Sequence, residues 1–233
     1  MNRNFTAVCA ALLMCAILIV FFGGFALNKS APALADTSEG DRSEKVVFLT
    51  FDDGPSDKVT PKILDVLKEE KVKATFFIVG KSAETRKNIV KREFDEGHTV
   101  AVHSYSHKYS EIYSSPENLV EDIDKCNAVI KQVTGKPSSV YRFPGGSYGL
   151  SQKLITAVIA HGMRYVDWNA STRDAEIYNA TPEQLYKATI ATTPSSNYVV
   201  LLAHDSTTKS STAEALKKII SFYRENNYSF ASF

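Results

Sequence analysis

The stretch VVFLTFDDGPSD, residues 46–57, is an apolar run that ends in two adjacent carboxylates and a Gly-Pro turn. Its first six residues are aliphatic, aromatic or β-branched, which is typical of a strand buried on both faces of a parallel sheet. Asp52 and Asp53 then stand at the carboxyl end of that strand. An Asp before Gly also commonly forms a simple turn, so this stretch alone leaves a structural and a functional interpretation open.

Strands of this kind recur along the chain and alternate with helix-like segments. The sequence predicts seven strands, at residues 46–51, 74–80, 99–104, 140–143, 164–168, 198–204 and 228–233. Six helix-sized segments separate them. Alternating β and α units predict a parallel sheet, either open or closed as a barrel, and in both cases functional side chains gather at the carboxyl ends of the strands.

Four predicted helices have recognisable starts. Thr60 and Ser115 each precede a proline, which favours the first turn of a helix. Residues 181–184 (TPEQ) and 211–214 (STAE) have the spacing of a capping box, in which two side chains satisfy free backbone N–H groups. The sequence therefore predicts helices that begin at Pro61, Pro116, Pro182 and Thr212.

The N-terminal part of the chain differs in kind from the rest. Residues 5–27 carry no charge and are long enough to span a bilayer as a helix, for which about 20 residues are needed. We therefore expect a membrane anchor or a signal segment at residues 1–27 and a flexible tether at residues 28–44. Ala33-Leu34-Ala35 offers a cleavage signal after Ala35. In either case the domain at residues 45–233 is expected outside the cytoplasm, tethered to the membrane or secreted.

Composition limits the classes of function. The chain has 233 residues, of which 44% are hydrophobic, so it can bury one sizeable core. Its formal net charge is +1, with both signs interspersed, and this absence of a basic stripe excludes nucleic acid as a partner. Cys9 and Cys15 lie in the predicted membrane segment. Cys126 is therefore left without a partner for an intrachain disulfide.

Two histidines stand at the end of the third predicted strand, in the segment HSYSH at residues 103–107. Imidazoles at this spacing can converge on one metal ion, although an isolated pair is often no more than two surface histidines. With Asp53 as a third ligand, His103 and His107 would leave positions open for water and substrate, as in catalytic zinc sites. Asp52 would then be placed to accept a proton from the metal-bound water.

Two further strand ends carry groups suited to hydrolysis. Arg142 precedes a glycine turn at residues 145–146, whose N–H groups can approach a ligand closely. The structural alternative for Arg142 is an ion pair with a surface carboxylate. His204 ends an apolar strand, where a histidine can also be a simple strand end. Taken with the acids and histidines above, these strand ends predict a metal-dependent hydrolase.

These residues form an ordered set of motifs that resembles the polysaccharide deacetylase family, carbohydrate esterase family four. The matching motifs are TFDDGP at 50–55, HSYSH at 103–107, RFP at 142–144, Asp174, and LAH at 202–204. The resemblance covers about residues 45–233 and implies an irregular (β/α) barrel of seven or eight strands. It also implies one divalent metal ion, usually zinc, bound by Asp53, His103 and His107.

The resemblance implies a role for each catalytic group as well. Asp52 would be the general base, kept ionised and in place by Arg142. His204 would be the general acid that protonates the departing amine, oriented and charge-stabilised by Asp174. A base beside a cation and an acid beside an anion are two groups whose pKa values are pushed apart.

The residues expected to contact the substrate are also where the sequence departs from the family pattern. Gly145 would supply a backbone N–H to the oxyanion hole, and Leu202 would line the slot for the acetyl methyl group. The family often has Tyr at the position of Gly145 and Trp at that of Ala175. We expect Trp168 or Tyr148 to provide the missing sugar-stacking surfaces.

The expected substrate follows from the resemblance and from the predicted export. The expected activity removes N-acetyl groups from N-acetylglucosamine in a cell-envelope polysaccharide, with peptidoglycan as the first choice. The partners would be the wall glycan and, through residues 1–27, the membrane. One alternative is a deacetylase of another glycan, such as an exopolysaccharide, chitin oligomers or acetylated xylan. The other is a catalytically silent carbohydrate-binding protein, which would be expected to lack a base, an acid or a metal ligand.

Overall fold

The computed structural model describes residues 44–233 of the chain. The predicted anchor or signal segment at residues 1–27, and the tether up to residue 43, lie outside the described residues. Among the helices of the described part, none combines the length and the hydropathy needed to cross a bilayer.

Eight parallel strands form one curled sheet. They are β1 (Lys45–Asp52), β2 (Thr75–Val79), β3 (Thr99–Ser104), β4 (Val140–Tyr141), β5 (Arg164–Tyr165), β6 (Ala170–Ser171), β7 (Tyr198–His204) and β8 (Tyr228–Ala231). Seven of them follow the order β5-β4-β3-β2-β1-β7-β6. The eighth, β8, pairs with the first half of β1, and β2 pairs with the last residues of β1. β5 and β6 end this order and do not pair with each other. The predicted α/β class with a parallel sheet is confirmed, and the expected barrel is an open half-barrel.

The region around β5 departs from the predicted strands for a visible reason. The predicted strand at residues 164–168 is the two-residue β5, and β6, which the sequence did not indicate, follows it. Between them, the backbone carbonyls of Val166 and Asp167 accept hydrogen bonds from the Arg142 side chain, at 3.0 and 3.4 Å. These carbonyls are therefore occupied by a guanidinium instead of a neighbouring strand.

Eight helices cover the sheet within residues 44–233. They are α1 (Val59–Glu69), α2 (Gly80–Thr85), α3 (Lys87–Asp95), α4 (Tyr109–Ile112), α5 (Pro116–Thr134), α6 (Gln152–Ala160), α7 (Pro182–Thr192) and α8 (Ser210–Glu225). Two predicted starts are confirmed: Ser115 caps α5, and Thr181 with Gln184 forms a complete capping box on α7. α2 and α4, which are short, were not predicted.

The other two predicted helix starts are wrong by two residues. α1 begins one residue before Thr60 and α8 begins two residues before Thr212, and in neither helix does the side chain of the N-cap residue accept a hydrogen bond. Both threonine hydroxyls are buried and donate to carboxylates instead: Thr60 to Asp205 at 2.5 Å, and Thr212 to Asp174 at 2.8 Å. A local pattern that is typical of caps therefore serves long-range contacts here.

Alternation along the strands separates the core from the polar face of the sheet. On β1, Val47, Leu49 and Phe51 belong to the main apolar cluster beneath the helices. Thr50 and Asp52 lie on the opposite, inner face, where both accept hydrogen bonds from an Arg142 guanidinium nitrogen. Because side chains alternate, a register slip of one residue would exchange these two sets. The apolar run of β1 thus fixes Asp52 to the inner face at the strand end.

The free energy of unfolding can distinguish a helix cap that the structure shows from a predicted cap that it does not show. Ser115 Oγ accepts from the Asn118 N–H at 3.2 Å, so Ser115→Ala should lower the free energy of unfolding by about 1 kcal/mol. Ser211→Ala, at a predicted cap that α8 does not use, should stay within about 0.5 kcal/mol of the wild type. Urea unfolding of the full chain, followed by circular dichroism, measures both values. An equal loss in the two variants would contradict the observed helix starts.

Candidate active site

Asp53, His103 and His107 meet at the carboxyl ends of β1 and β3. Asp53 Oδ1 lies 3.4 Å from His103 Nε2 and 3.1 Å from His107 Nε2. The three ligand atoms lie within 4.8 Å of one another. Asp53 Oδ1 is buried and, within residues 44–233, has no well-formed hydrogen bond. One carboxylate oxygen and two imidazole nitrogens that face a common point fit a divalent metal such as zinc.

An unusual backbone conformation orients two of these three side chains, those of Asp53 and His107. Asp53 and His107 have φ values of +74° and +53°, in the left-handed region that residues other than glycine seldom adopt. Each follows its strand within a few residues, so the chain turns sharply and returns the side chain over the strand end. Unusual backbone conformations of this kind are concentrated at functional sites.

The tautomer of His103 is set by a backbone carbonyl. Its Nδ1 lies 2.9 Å from the carbonyl oxygen of Arg142. Because a carbonyl can only accept, Nδ1 carries a proton, and Nε2, on the side of Asp53, is the ring nitrogen that is available to a metal ion. The orientation of the His103 ring is therefore set by the same residue whose side chain binds Asp52, and it suits metal binding through Nε2.

The loop that carries His107 is held by a buried acid from α5, Asp122. Its Oδ2 accepts a hydrogen bond from Ser104 Oγ at 2.6 Å. Its carboxylate also accepts from the backbone N–H groups of the two residues after Ser104, at 2.7 and 3.0 Å. Ser104 Oγ in turn accepts from the His107 N–H at 2.8 Å. Sequence reasoning missed Asp122, although an acid on the apolar stripe of a helix, between Leu119 and Ile123, was a detectable signal.

Asp52 is paired with a fully buried cation, the guanidinium of Arg142. Arg142 has no exposed surface, and its Nη1 donates to Asp52 Oδ1 at 2.9 Å and to Thr50 Oγ1 at 2.7 Å. The guanidinium lies over the Phe77 ring, 4.2 Å from its centroid. The other oxygen, Asp52 Oδ2, lies 4.0 Å from His103 Nε2. One oxygen of Asp52 is thus held by Arg142 while the other faces the metal ligands.

His204 is the register neighbour of Asp52 on β7 and is paired with an anion. Its Nδ1 donates to Asp174 Oδ1 at 2.7 Å, and its backbone N–H donates to Asp174 Oδ2 at 2.8 Å. Burial alone would lower the pKa of His204, but the hydrogen bond that it donates to Asp174, the charge of Asp174 and the charges of Asp52 and Asp53 outweigh burial and raise this pKa to about 9. His204 is therefore protonated at neutral pH and has a proton to donate.

The structure places the four predicted substrate-contacting residues in different settings. Gly145 has a φ of +79°, and its N–H has no acceptor within residues 44–233. Leu202 is buried on β7, in register with Thr50. Trp168 lies beside Gly146 and over Arg142, with its ring centroid 5.7 Å from the guanidinium carbon. Tyr148 is fully exposed to solvent.

Two residues that the sequence did not single out anchor the glycine loop. Asp167 accepts from the Ser147 N–H at 3.0 Å and from the Ser147 hydroxyl. Tyr113 donates its hydroxyl to the Pro144 carbonyl at 2.7 Å. The loop is therefore fixed on both sides of Gly145, and its free N–H keeps one orientation.

Comparison with known proteins agrees with this geometry. Residues 39–166 match the family described as Polysaccharide deacetylase. The chain belongs to this family. The peptidoglycan-N-acetylglucosamine deacetylase of Bacillus cereus is 34% identical over 212 residues, which are 89% of this chain and 74% of that protein. These similarities support the identification of the chain as a deacetylase.

Solved structures show the same relationship. The catalytic domain of the peptidoglycan N-acetylglucosamine deacetylase from Eubacterium rectale has a TM-score of 0.76 at 36% identity, covering 88% of this chain and 93% of that one. A pseudoenzyme of carbohydrate esterase family four from Bacillus anthracis has a TM-score of 0.72 at 25% identity, covering 82% of this chain and 65% of that one. The fold thus occurs in both active and inactive proteins, so activity must be judged from the site residues.

Removal of the Asp122 carboxylate should weaken metal binding at the candidate site formed by Asp53, His103 and His107. Asp122→Ala frees the loop of His107, and we expect zinc affinity to fall by about 10- to 100-fold, as for other groups that orient metal ligands. Competition with a chromogenic chelator measures this affinity. Asp124→Ala, which removes an exposed acid of the same helix that pairs with His161, should leave the zinc affinity unchanged. Equal affinities in the two variants would contradict the role of Asp122.

The pairing of His204 with Asp174 predicts a pH dependence. In the metal-free deacetylase, His204 should titrate near pH 9, so the proton is present at neutral pH and is lost as the pH rises through 9. Asp174→Asn removes the negative charge, and the pKa of His204 should fall towards its ordinary value of about 6.5. Titration of the imidazole C–H signals by nuclear magnetic resonance measures both. A wild-type value near 6.5 would contradict the proposed ion pair.

Proposed function

We propose that this deacetylase removes N-acetyl groups from N-acetylglucosamine residues of peptidoglycan in a metal-dependent hydrolysis. One observation carries the proposal: a base held by Arg142 and an acid held by Asp174 end the neighbouring strands β1 and β7, beside a three-ligand metal site. A metal with three protein ligands keeps positions for water and substrate. The complete set argues against the catalytically silent alternative.

Asp53, His103 and His107 would hold the metal ion, for which zinc fits the donor set. When bound, such an ion polarises the acetamide carbonyl and makes water more acidic. Asp52 accepts the proton of the attacking water through Oδ2, because Oδ1 is occupied by Arg142. The ion pair keeps Asp52 in place, so its free oxygen needs no rearrangement before the reaction.

The remaining steps use Gly145, which follows β4, together with His204 and Leu202 of β7. The Gly145 N–H donates to the carbonyl oxygen as negative charge develops on it. The C–N bond then breaks, and His204 transfers its Nε2 proton to the departing amine. The Nδ1 proton stays on His204, which continues to donate it to Asp174. Leu202 offers an apolar contact for the acetyl methyl group. The products are acetate and a glucosamine residue with a free amine.

The choice of peptidoglycan rests on relatives and on the predicted export. The Bacillus cereus and Eubacterium rectale proteins are both named as deacetylases of peptidoglycan N-acetylglucosamine. Export through residues 1–27 would bring the domain to the outer face of the membrane, either anchored there or released after Ala35. A wall polymer is the polysaccharide such a location would offer.

An acetate-release assay tests the proposal. The full chain, loaded with zinc, should release acetate from peptidoglycan in preference to chitin tetramer, an exopolysaccharide or acetylated xylan, and a chelator should abolish release. Asp52→Asn should lower kcat by at least about 100-fold, because it removes the proton acceptor, while zinc content is retained. Asp57→Asn, at an exposed acid paired with Arg86, is the control and should keep the wild-type rate.

Two results would contradict the proposal. Acetate release from xylan but not from peptidoglycan would overturn the substrate. Undiminished turnover by Asp52→Asn, with the protein folded and zinc bound, would overturn the assignment of the base.

A further inference from the structure

The space beside Gly145 is occupied by an aromatic ring from another part of the chain. A Cβ placed on Gly145 would lie 3.2 Å from both Cε1 and Oη of Tyr109. Contacts this short are tighter than nearly all Cβ contacts in proteins. Glycine at position 145 therefore permits Tyr109, the first residue of α4, to approach the loop that carries the free N–H.

Tyr109 also packs against the metal-ligand set. Its ring is perpendicular to that of His107, with centroids 5.5 Å apart. On its other side it meets Tyr113 edge-on, with centroids 5.8 Å apart. Tyr113 is itself fixed by its hydrogen bond to the Pro144 carbonyl. The ring of Tyr109 is thus held between the histidine loop and the glycine loop, and it has little freedom to rotate.

A large part of this fixed ring remains open to solvent. Tyr109 is 48% exposed, although it lies between a metal ligand and the proposed oxyanion N–H. Rigid aromatic rings with one apolar side available are the groups that bind ring-shaped ligands at little cost in side-chain entropy. Trp168 packs against Gly146 and Arg142, whereas the side chain of Tyr148 is fully exposed to solvent. Neither of these two occupies the space beside Gly145.

We propose that Tyr109 is the aromatic wall of the subsite that binds the sugar ring whose acetamide is cleaved. The proposal rests on the function proposed above and adds a residue that determines how the sugar is held. The C–H face of a pyranose would pack on the Tyr109 ring while the acetamide group reaches the Gly145 N–H. This contact involves the part of the substrate that does not react.

The position of this contact predicts which kinetic constant changes. The Tyr109 ring touches no reacting atom, and we expect its contact with the sugar to be made equally in the ground state and the transition state, as uniform binding. Its loss therefore raises KM and leaves kcat nearly constant. A residue that merely supported His107 would instead lower the zinc affinity, and kcat with it.

The test compares four variants of the full, zinc-loaded chain on the tetramer of N-acetylglucosamine. Tyr109→Ala and Tyr109→Leu should each raise KM by roughly fivefold, since both remove the flat ring. Tyr109→Phe should keep KM close to the wild type, because the ring remains. Tyr186→Ala makes the same change at a partly buried tyrosine of α7 that packs on Phe222, and it should leave KM unchanged. Tyr109→Leu serves as the folded reference if Tyr109→Ala is unstable.

Two measurements without turnover accompany the kinetics. Zinc affinity should be the same in all variants. In an Asp52→Asn background, calorimetry should show that Tyr109→Ala weakens binding of the tetramer by a similar factor. Three results would each overturn the role of Tyr109. The first is a wild-type KM in both Tyr109→Ala and Tyr109→Leu, and the second is an increase in KM that is as large in Tyr109→Phe as in those two variants. The third is a reduced zinc affinity in the Tyr109 variants. Failure of the wild-type chain to release acetate from any of the glycans would instead overturn the proposed function.

Discussion

The buried guanidinium of Arg142 is the constraint on which the rest of the site depends. It has no exposed surface, and it binds Asp52, Thr50 and the carbonyls that follow β5. Its own carbonyl sets the tautomer of His103. Removing one partner from a buried ion pair typically costs about 3–5 kcal/mol, because the remaining charge is left uncompensated. The base, a metal ligand and the open side of the sheet are therefore coupled through one residue.

The sequence was sufficient to predict the polar groups at the strand ends, because parallel strands present their carboxyl ends at one edge. Asp52, Asp53 and His103 are brought together for that reason. Asp122 and Tyr109 could not be assigned in the same way, since they reach the site from helices whose placement depends on packing across the whole domain. Their roles follow from contacts such as that between Asp122 and Ser104, which no local pattern encodes.

The errors in the predicted elements have the same origin. Thr60 and Thr212 sit in patterns that favour helix caps, yet each hydroxyl donates to one buried carboxyl oxygen, of Asp205 and of Asp174 respectively. A buried carboxylate without a hydrogen-bond donor costs more than a missing N-cap. At α1, moreover, the N–H groups of Val59 and Thr60 donate to the Ser56 hydroxyl, so they do not need Thr60 as a cap. Likewise, the run at residues 164–168 has the composition of a strand, but its carbonyls bind Arg142. At both places a buried charge overrides the local preference of the chain.

The two ion pairs of the site, Asp52 with Arg142 and His204 with Asp174, have the same arrangement with the charges exchanged. In each, the partner is more deeply buried than the catalytic group: Arg142 and Asp52 have 0% and 4% of their side-chain surface exposed, and Asp174 and His204 have 3% and 14%. The two pairs together carry no net charge. The charge at the reacting centre is then that of Asp53 and the metal ion it would hold, a net +1 for a divalent ion. That excess favours the negative charge that develops on the acetamide oxygen, and it would be lost if Arg142 were replaced by a neutral residue, because the charge of Asp52 would then be uncompensated.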